Sequence, residues 1–240
     1  MMKAARPSQD SSPRLQDWSH ASQPLAQRAA QLALPDHVRL VAVSKTFPAA
    51  AIRAAYDAGL RDFGENKVQE AIAKQSELRD LTDITWHFIG HIQSNKVRKV
   101  VQHFDWIHSV DSLKLAQRLD RAAAELSCTP ICCLQVKLLA DPNKHGWAEA
   151  ELGQTLPQLA ELSHLKLEGI MAIPPFGLSP KDAQAFFERA YALGQAVANH
   201  PETPLPIHYF SMGMSQDFSL AIAAGANIIR LGTTLFGARE

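Results

Sequence analysis

Three groups of residues carry potential for chemistry. The first is Lys45, which follows the apolar run Leu40-Val41-Ala42-Val43-Ser44 and precedes Thr46, Phe47 and Pro48. That pattern puts an amine where a buried strand ends and a loop begins. Near low-dielectric walls an amine loses part of its preference for the charged form and can act as an imine-forming nucleophile. The second group is a pair of polar loops, Ser211-Met212-Gly213-Met214-Ser215-Gln216-Asp217 and Gly232-Thr233-Thr234-Leu235-Phe236-Gly237. Gly232 permits close backbone approach, and Ser211 and Thr233 add hydroxyl donors, which together suit a phosphate. The third is Arg230, inside a short apolar run where alternation sends it with Ile228 to one face and Ile229 and Leu231 to the other. A buried guanidinium needs a partner: a carboxylate, a bound anion or the acceptor nitrogen of an aromatic cofactor ring.

These groups can meet only if the elements between them bring the strand ends together. Apolar runs at 40–44, 62–64, 85–89, 106–109, 131–136, 167–171, 207–210 and 228–231 read as strands. Amphipathic stretches at 49–58, 68–79, 94–102, 112–126, 148–162, 180–199 and 216–224 read as helices, with Ser179, Pro180 and Asp182 forming a helix start. This alternation predicts an α/β fold, a single (β/α)8 TIM barrel, with an open doubly wound sheet as the alternative. A helix over 18–34 precedes the first strand and is expected to fill the gap on the barrel wall, because residues 233–240 are too few for a full eighth helix. Residues 1–16, rich in Ser, Pro, Gln and Arg, read as a disordered extension, and 17–240 as one domain. In a parallel barrel the C-terminal strand ends carry the chemistry, and the loops after strands seven and eight often bind phosphate. A lysine, a phosphate site and an arginine in one barrel suggest pyridoxal 5′-phosphate (PLP), although phosphorylated sugars also suit these parts.

Lys plus Arg and Asp plus Glu balance at 24 each, so no overall field attracts nucleic acid or an anionic membrane. No apolar run approaches a membrane span, and no hydrophobic segment makes a signal peptide. Cys128, Cys132 and Cys133 show neither paired C-x-x-C spacing nor an even disulfide count, which fits a reducing cytoplasm. His87 and His91 have ligand-like spacing, but no third ligand is evident, so no metal site is expected.

The chain resembles the pyridoxal-phosphate homeostasis protein family (the YggS/PROSC type) from about residue 40 onward. The likeness rests on Val43-Ser44-Lys45-Thr46, on Phe63-Gly64-Glu65-Asn66 with Val68-Gln69-Glu70, and on WHFIGHIQSNK at 86–96. It continues through His108-Ser109-Val110-Asp111, the Lys144-His145-Gly146 turn, Gly169-Ile170-Met171-Ala172-Ile173-Pro174, the 211–215 loop and RLGTTLFG at 230–237. The resemblance implies an alanine-racemase-like PLP barrel with Lys45 as the internal aldimine. It assigns Ser211, Gly232 and Thr233 to the phosphate, places Asn66 near the cofactor, and sets Arg230 near the pyridine nitrogen or the phosphate. Lys144 matches a lysine that the family is thought to use in handling or transferring the cofactor. Lys67 stands where the family commonly has tyrosine, and His91 where it commonly has proline.

A cationic Arg230 at the ring nitrogen would keep that nitrogen unprotonated and make the cofactor a weaker electron sink. Racemisation, the second reading, normally needs two acid/base groups on opposite faces of the substrate. The racemases draw the second, a tyrosine, from another domain, and the chain as given ends at Glu240; Tyr209 is the one candidate of its own. The expectation is therefore reversible PLP binding for intracellular vitamin B6 balance, without robust catalysis, in a cytoplasmic monomer that buffers PLP or delivers it to PLP-dependent apoenzymes. A Schiff-base aldolase acting on phosphosugars is a third reading, and it predicts a colourless protein.

Overall fold

Short runs of Val, Ile, Leu and aromatic residues, most of them buried on both faces, form the eight strands of a closed parallel barrel. The strands are β1 (Arg39–Val43), β2 (Asp62–Glu65), β3 (Thr85–Phe88), β4 (Trp106–Val110), β5 (Ile131–Val136), β6 (Lys166–Ala172), β7 (Tyr209–Ser211) and β8 (Ile228–Leu231). Each pairs in parallel with the next, and β1 closes the ring on β8. The computed structural model describes residues 18–139, 141 and 145–237, so the extension expected over 1–16 lies outside them.

Around the sheet run α1 (Ser22–Gln31), α2 (Ala49–Asp57), α3 (Val68–Glu77), α4 (Val97–His103), α5 (Leu113–Leu126), α6 (Glu149–Ala160), α7 (Pro180–Ala198), α8 (Phe218–Ala223) and a single turn, α9 (Thr233–Phe236). The α7 start is capped as its sequence predicts, with Ser179 Oγ accepting from the Asp182 N–H and Pro180 in the first turn. Before β1, α1 packs against α2 and α9 and does fill the gap on the wall. Its buried Leu25 meets a cluster containing Ile52, Ile229, Leu231 and Leu235. Each such fully buried side chain contributes roughly 1.5–3 kcal/mol.

Two boundaries differ from the sequence reading in ways that matter. The seventh strand is 209–211 rather than 207–210, because the stretch after Pro204 and Pro206 turns back on itself, with the Ile207 N–H donating to the Leu205 carbonyl at 2.8 Å. Ser211 is therefore part of the sheet. After β8 the expected loop is α9, which begins at Thr233.

Alternation divides the strands between two cores. Val41, Trp106, Cys133, Met171 and Ile228 pack together inside the barrel, whereas Ala42, Phe63, Ile229 and Leu231 belong to the layer between sheet and helices. Counting by twos from Val41 through Val43 brings Lys45 to the barrel mouth.

Candidate functional site

A cavity of about 270 Å³ opens at the C-terminal end of the barrel. Lys45, half-buried beside Val43, forms one wall. The loop after β7 supplies Met214, Ser215, Gln216 and Asp217, while β8 and the residues after it supply Arg230, Gly232 and Thr233. Ile89 and Ile173 complete the lining. Amine, guanidinium and hydroxyls thus face one space, although up to 188 residues separate them in sequence (45 to 233). Ser215 Oγ accepts from the Thr234 N–H at 3.4 Å, tying the two loops to each other. Asp217 Oδ1 accepts from the Met214 N–H at 2.7 Å and fixes the first loop internally.

The backbone on both sides of Lys45 is held from behind by a buried polar cluster between the sheet and α3. Lys74 Nζ donates to Glu65 Oε1 at 2.8 Å, to Glu70 Oε1 at 2.7 Å and to the Ser44 carbonyl at 3.0 Å. Ser44 Oγ donates to the same Glu65 oxygen at 2.7 Å, and the Thr46 N–H donates to Glu70 Oε1 at 2.7 Å. Thr46 has φ +70°, a left-handed conformation that a β-branched residue adopts only when its surroundings impose it. Burial pushes the Glu65 carboxyl up, against the hydrogen bonds from Lys74 and Ser44 that pull it down. For Glu70 burial also works upward, but the bonds from Lys74 and Thr46 outweigh it and hold the carboxyl below its ordinary value.

Arg230 is buried inside the barrel, and burial pushes its guanidinium down to about 10, so it stays charged at neutral pH. Nη1 donates to the Ser211 carbonyl at 2.5 Å and to Ser211 Oγ at 2.6 Å, and Nη2 to the Ala172 carbonyl at 3.3 Å. Ser211 Oγ lies 2.7 Å from His108 Nδ1, His108 Nε2 lies 2.9 Å from His87 Nδ1, and His87 Nε2 lies 2.8 Å from Asp62 Oδ1. At its ends a guanidinium only donates and a carboxylate only accepts. With both imidazoles neutral, His87 Nε2–H donates to Asp62, His108 Nε2–H donates to His87 Nδ1, and Ser211 Oγ donates to His108 Nδ1. Burial enforces the same state. It drives His108 well below its ordinary value, helped by the neighbouring His87 and Arg230, and it lowers His87 against the pull of Asp62.

The remaining residues singled out in the sequence lie as follows. Ser211 is fully buried in the relay and is not among the residues lining the cavity; the serine that does line it is Ser215. Asn66 lines an adjoining depression with Lys67 and His91, and its buried Oδ1 has no hydrogen-bond partner. Gly90 lies so close to Asn66 that an added Cβ would come 2.3 Å from the Asn66 carbonyl oxygen. Lys144 lies outside the described residues. Tyr209 begins β7, at the opposite end of the barrel from Lys45, with its ring edge-on to Trp106 at 4.8 Å, so it cannot serve as an opposing base. A larger cavity of about 580 Å³ at that far end, near Trp86, His103 and Lys166, has neither Lys45 nor the glycine and hydroxyl loops. The relay and the Lys74 cluster escaped the sequence reading. Their one local signal is Glu70 four residues before Lys74, a helical ion-pair spacing.

A parallel barrel with a lysine at the end of its first strand and hydroxyl-bearing loops after its last two defines a class built to hold a phosphorylated carbonyl compound. Comparison with known proteins narrows it. The model of the alanine racemase N-terminal domain matches residues 24–240. The pyridoxal phosphate homeostasis protein of Synechocystis is 53% identical over 206 residues, covering 86% of this chain and 94% of that protein. Its counterpart in Escherichia coli is 42% identical over 210 residues, covering 86% and 88%. Among solved structures, PipY of Synechococcus elongatus with PLP bound superposes with a TM-score of 0.85 at 54% identity, covering 89% of this chain and all of that one. An alanine racemase of Clostridium difficile shares the fold at a TM-score of 0.64 and 17% identity, covering 91% of this chain but 56% of that one. The chain belongs to the alanine racemase N-terminal domain family and, within it, to the pyridoxal phosphate homeostasis proteins.

Proposed function

We propose that the protein binds PLP reversibly at the barrel mouth and serves vitamin B6 balance inside the cell, buffering PLP or delivering it to PLP-dependent apoenzymes. The observation that carries this reading is the convergence of Lys45, Arg230, Ser215, Gly232 and Thr233 on one cavity. The donor set fits the cofactor: an amine for its aldehyde, hydroxyls and a glycine backbone for its phosphate, and a guanidinium for its ring nitrogen or phosphate. When bound, PLP supplies an aldehyde that condenses with an amine and an aromatic ring that withdraws electrons.

In this reading Lys45 holds the cofactor as an imine. Ser215, Thr233 and the backbone at Gly232 receive the phosphate, and Ser211 serves from behind by orienting Arg230. Asn66, whose side-chain Oδ1 has no partner, is assigned to the rim beside the cofactor, and Lys144 to its transfer. A guanidinium whose charge is held in place by a relay ending on Asp62 favours an unprotonated ring nitrogen, which suits a carrier better than an enzyme of carbanion chemistry. The racemase alternative is not favoured: no tyrosine or histidine lines the cavity among the described residues, and Asp217 is engaged by the Met214 N–H. Three free cysteines, two of them buried, agree with a cytoplasmic location. Among the described residues no helix is long and apolar enough to cross a membrane. We assign a monomer, because one chain supplies the whole donor set.

The test is the visible spectrum of the purified protein. A yellow protein whose band is fixed by borohydride and disappears in Lys45→Ala is the expected result. An unaltered band in that variant overturns the imine assignment, and sustained conversion of an L-amino acid to its D form, lost in Lys45→Ala, overturns the carrier reading.

A further inference from the structure

Helical or loop spacing pairs His91 with His87, but the fold separates them, since His87 turns into the barrel relay and His91 stands on the rim after β3. There His91 meets two residues from other strand ends. Its Nδ1 lies 3.3 Å from Oδ2 of Asp111, the residue directly after β4. Its ring stacks on that of His145 with centroids 4.1 Å apart and planes 18° from parallel. One ligand-capable atom from each of the three lies within 4.8 Å of the others. We propose that His91, Asp111 and His145 form a binding site for a divalent first-row cation, zinc foremost.

The chemistry matches that class of ion. Two borderline imidazoles and one carboxylate form a set that suits Zn²⁺, which has no geometric preference of its own and accepts three protein ligands with a fourth position for water. Metal–nitrogen bonds of about 2.0–2.1 Å set ligand atoms roughly 3.3 Å apart around a tetrahedral centre. The His91–Asp111 separation is already at that value. Side-chain rotation of His145 and His91, both exposed, can supply the remaining contraction.

The site is also anchored from behind. Asp111 is 10% exposed at its side chain, and its other oxygen, Oδ1, accepts from Ser112 Oγ at 3.2 Å, a contact that orients the carboxylate. The His145 carbonyl accepts from Gln135 Nε2 at 2.8 Å. Gly146 follows at φ +142° with its α-carbon pressed against β5, where a Cβ would come 3.0 Å from the Gln135 carbonyl oxygen. Trp147 then bonds to Gln135 and Lys137 through its backbone and to the Val110 carbonyl through Nε1. His145 is thus held against the ends of β4 and β5, beside Asp111, which directly follows β4. These ligands lie outside the lining of the Lys45 cavity, so the inference stands apart from cofactor binding.

Untagged full-length protein, freed of metal by chelator, is titrated calorimetrically with Zn²⁺ and spectroscopically with Co²⁺. The expected result is one equivalent of Zn²⁺ per chain and visible Co²⁺ absorption that Zn²⁺ displaces. His91→Ala, His145→Ala and Asp111→Asn should each weaken Zn²⁺ binding at least tenfold. Saturating Zn²⁺ should raise the thermal midpoint of the wild type, and much less that of the variants. All four proteins should keep their cofactor band, which separates this site from the Lys45 site. Absence of stoichiometric uptake by the wild type, or wild-type affinity in all three variants, overturns the proposal.

Discussion

Lys74→Met tests whether the cluster behind Lys45 holds the site together. Methionine keeps most of the side-chain length and removes the charge. The change leaves Glu65, whose side chain is fully buried, without the cation 2.8 Å away, and it removes the donor that ties Glu70 to the Ser44 carbonyl. Removing one member of a buried ion pair costs about 3–5 kcal/mol. Glu70 is 27% exposed at its side chain and can regain water, and Glu65 can escape part of the cost by taking up a proton, so the lower end, about 3 kcal/mol, is expected. For a chain of this size that corresponds to a fall in Tm of roughly 6–12 °C. The pH dependence has a definite sign. The Glu65 carboxyl already sits above its ordinary value in the folded protein, and losing Lys74 raises it further. The folded variant therefore binds more protons than its unfolded chain, and its deficit grows as pH rises through the shifted range. Urea unfolding at pH 5 and pH 8 should show a smaller loss at pH 5. Adding Glu65→Gln should restore part of the stability at pH 8, because a neutral amide can still accept from Ser44. PLP should dialyse out of Lys74→Met faster than out of the wild type, since Ser44 and Thr46 lose their shared anchor. A variant with wild-type urea midpoint at pH 8 would refute the reasoning.

Three further outcomes follow from the relay and the close contacts. His87 and His108 are held neutral and below their ordinary values by burial, so stability present above about pH 6.5 should be lost as pH falls, with a slope of up to about 1.4 kcal/mol per pH unit for each; urea midpoints between pH 7 and 5 check this, and His108→Gln should flatten the profile. Ser211→Ala leaves His108 Nδ1 without its donor and Arg230 with one fewer acceptor, so a loss of about 1–3 kcal/mol is expected together with a shifted cofactor spectrum. An unchanged spectrum would argue against Arg230 acting on the ring. Gly90→Ala should cost at least about 1–3 kcal/mol by thermal unfolding, because its Cβ would collide with the backbone of Asn66 and only a main-chain shift relieves it.

Much of the barrel was legible because its signals are local. Apolar runs of three to seven residues alternate with amphipathic helices, and each needs only its own periodicity to be recognised. The position of Lys45 follows from the end of one such run, and the burial of Arg230 from the apolar residues on either side of it. Ser211 shows where this logic stops. Its placement in a loop or a strand turned on a one-residue boundary, and that boundary decided whether its hydroxyl faced a phosphate or the interior. The histidines make the same point. Spacing alone linked His87 to His91, whereas strand alternation places His87 in a chain of five groups drawn from five strands, β2, β3, β4, β7 and β8.

By itself the sequence determined the order and kind of elements, the amine at the end of the first strand and the hydroxyl-bearing loops near the end of the chain. Those properties depend on neighbours within a few residues. Only the tertiary structure decided which serine lines the cavity, which donor each imidazole needs, and that Lys74, Glu65 and Glu70 hold the backbone around Lys45. These depend on contacts closed across the barrel between residues far apart in sequence, such as His108 and Ser211, 103 positions apart. No local pattern records such a contact, because its energy arises only when burial removes the water that would otherwise satisfy each group.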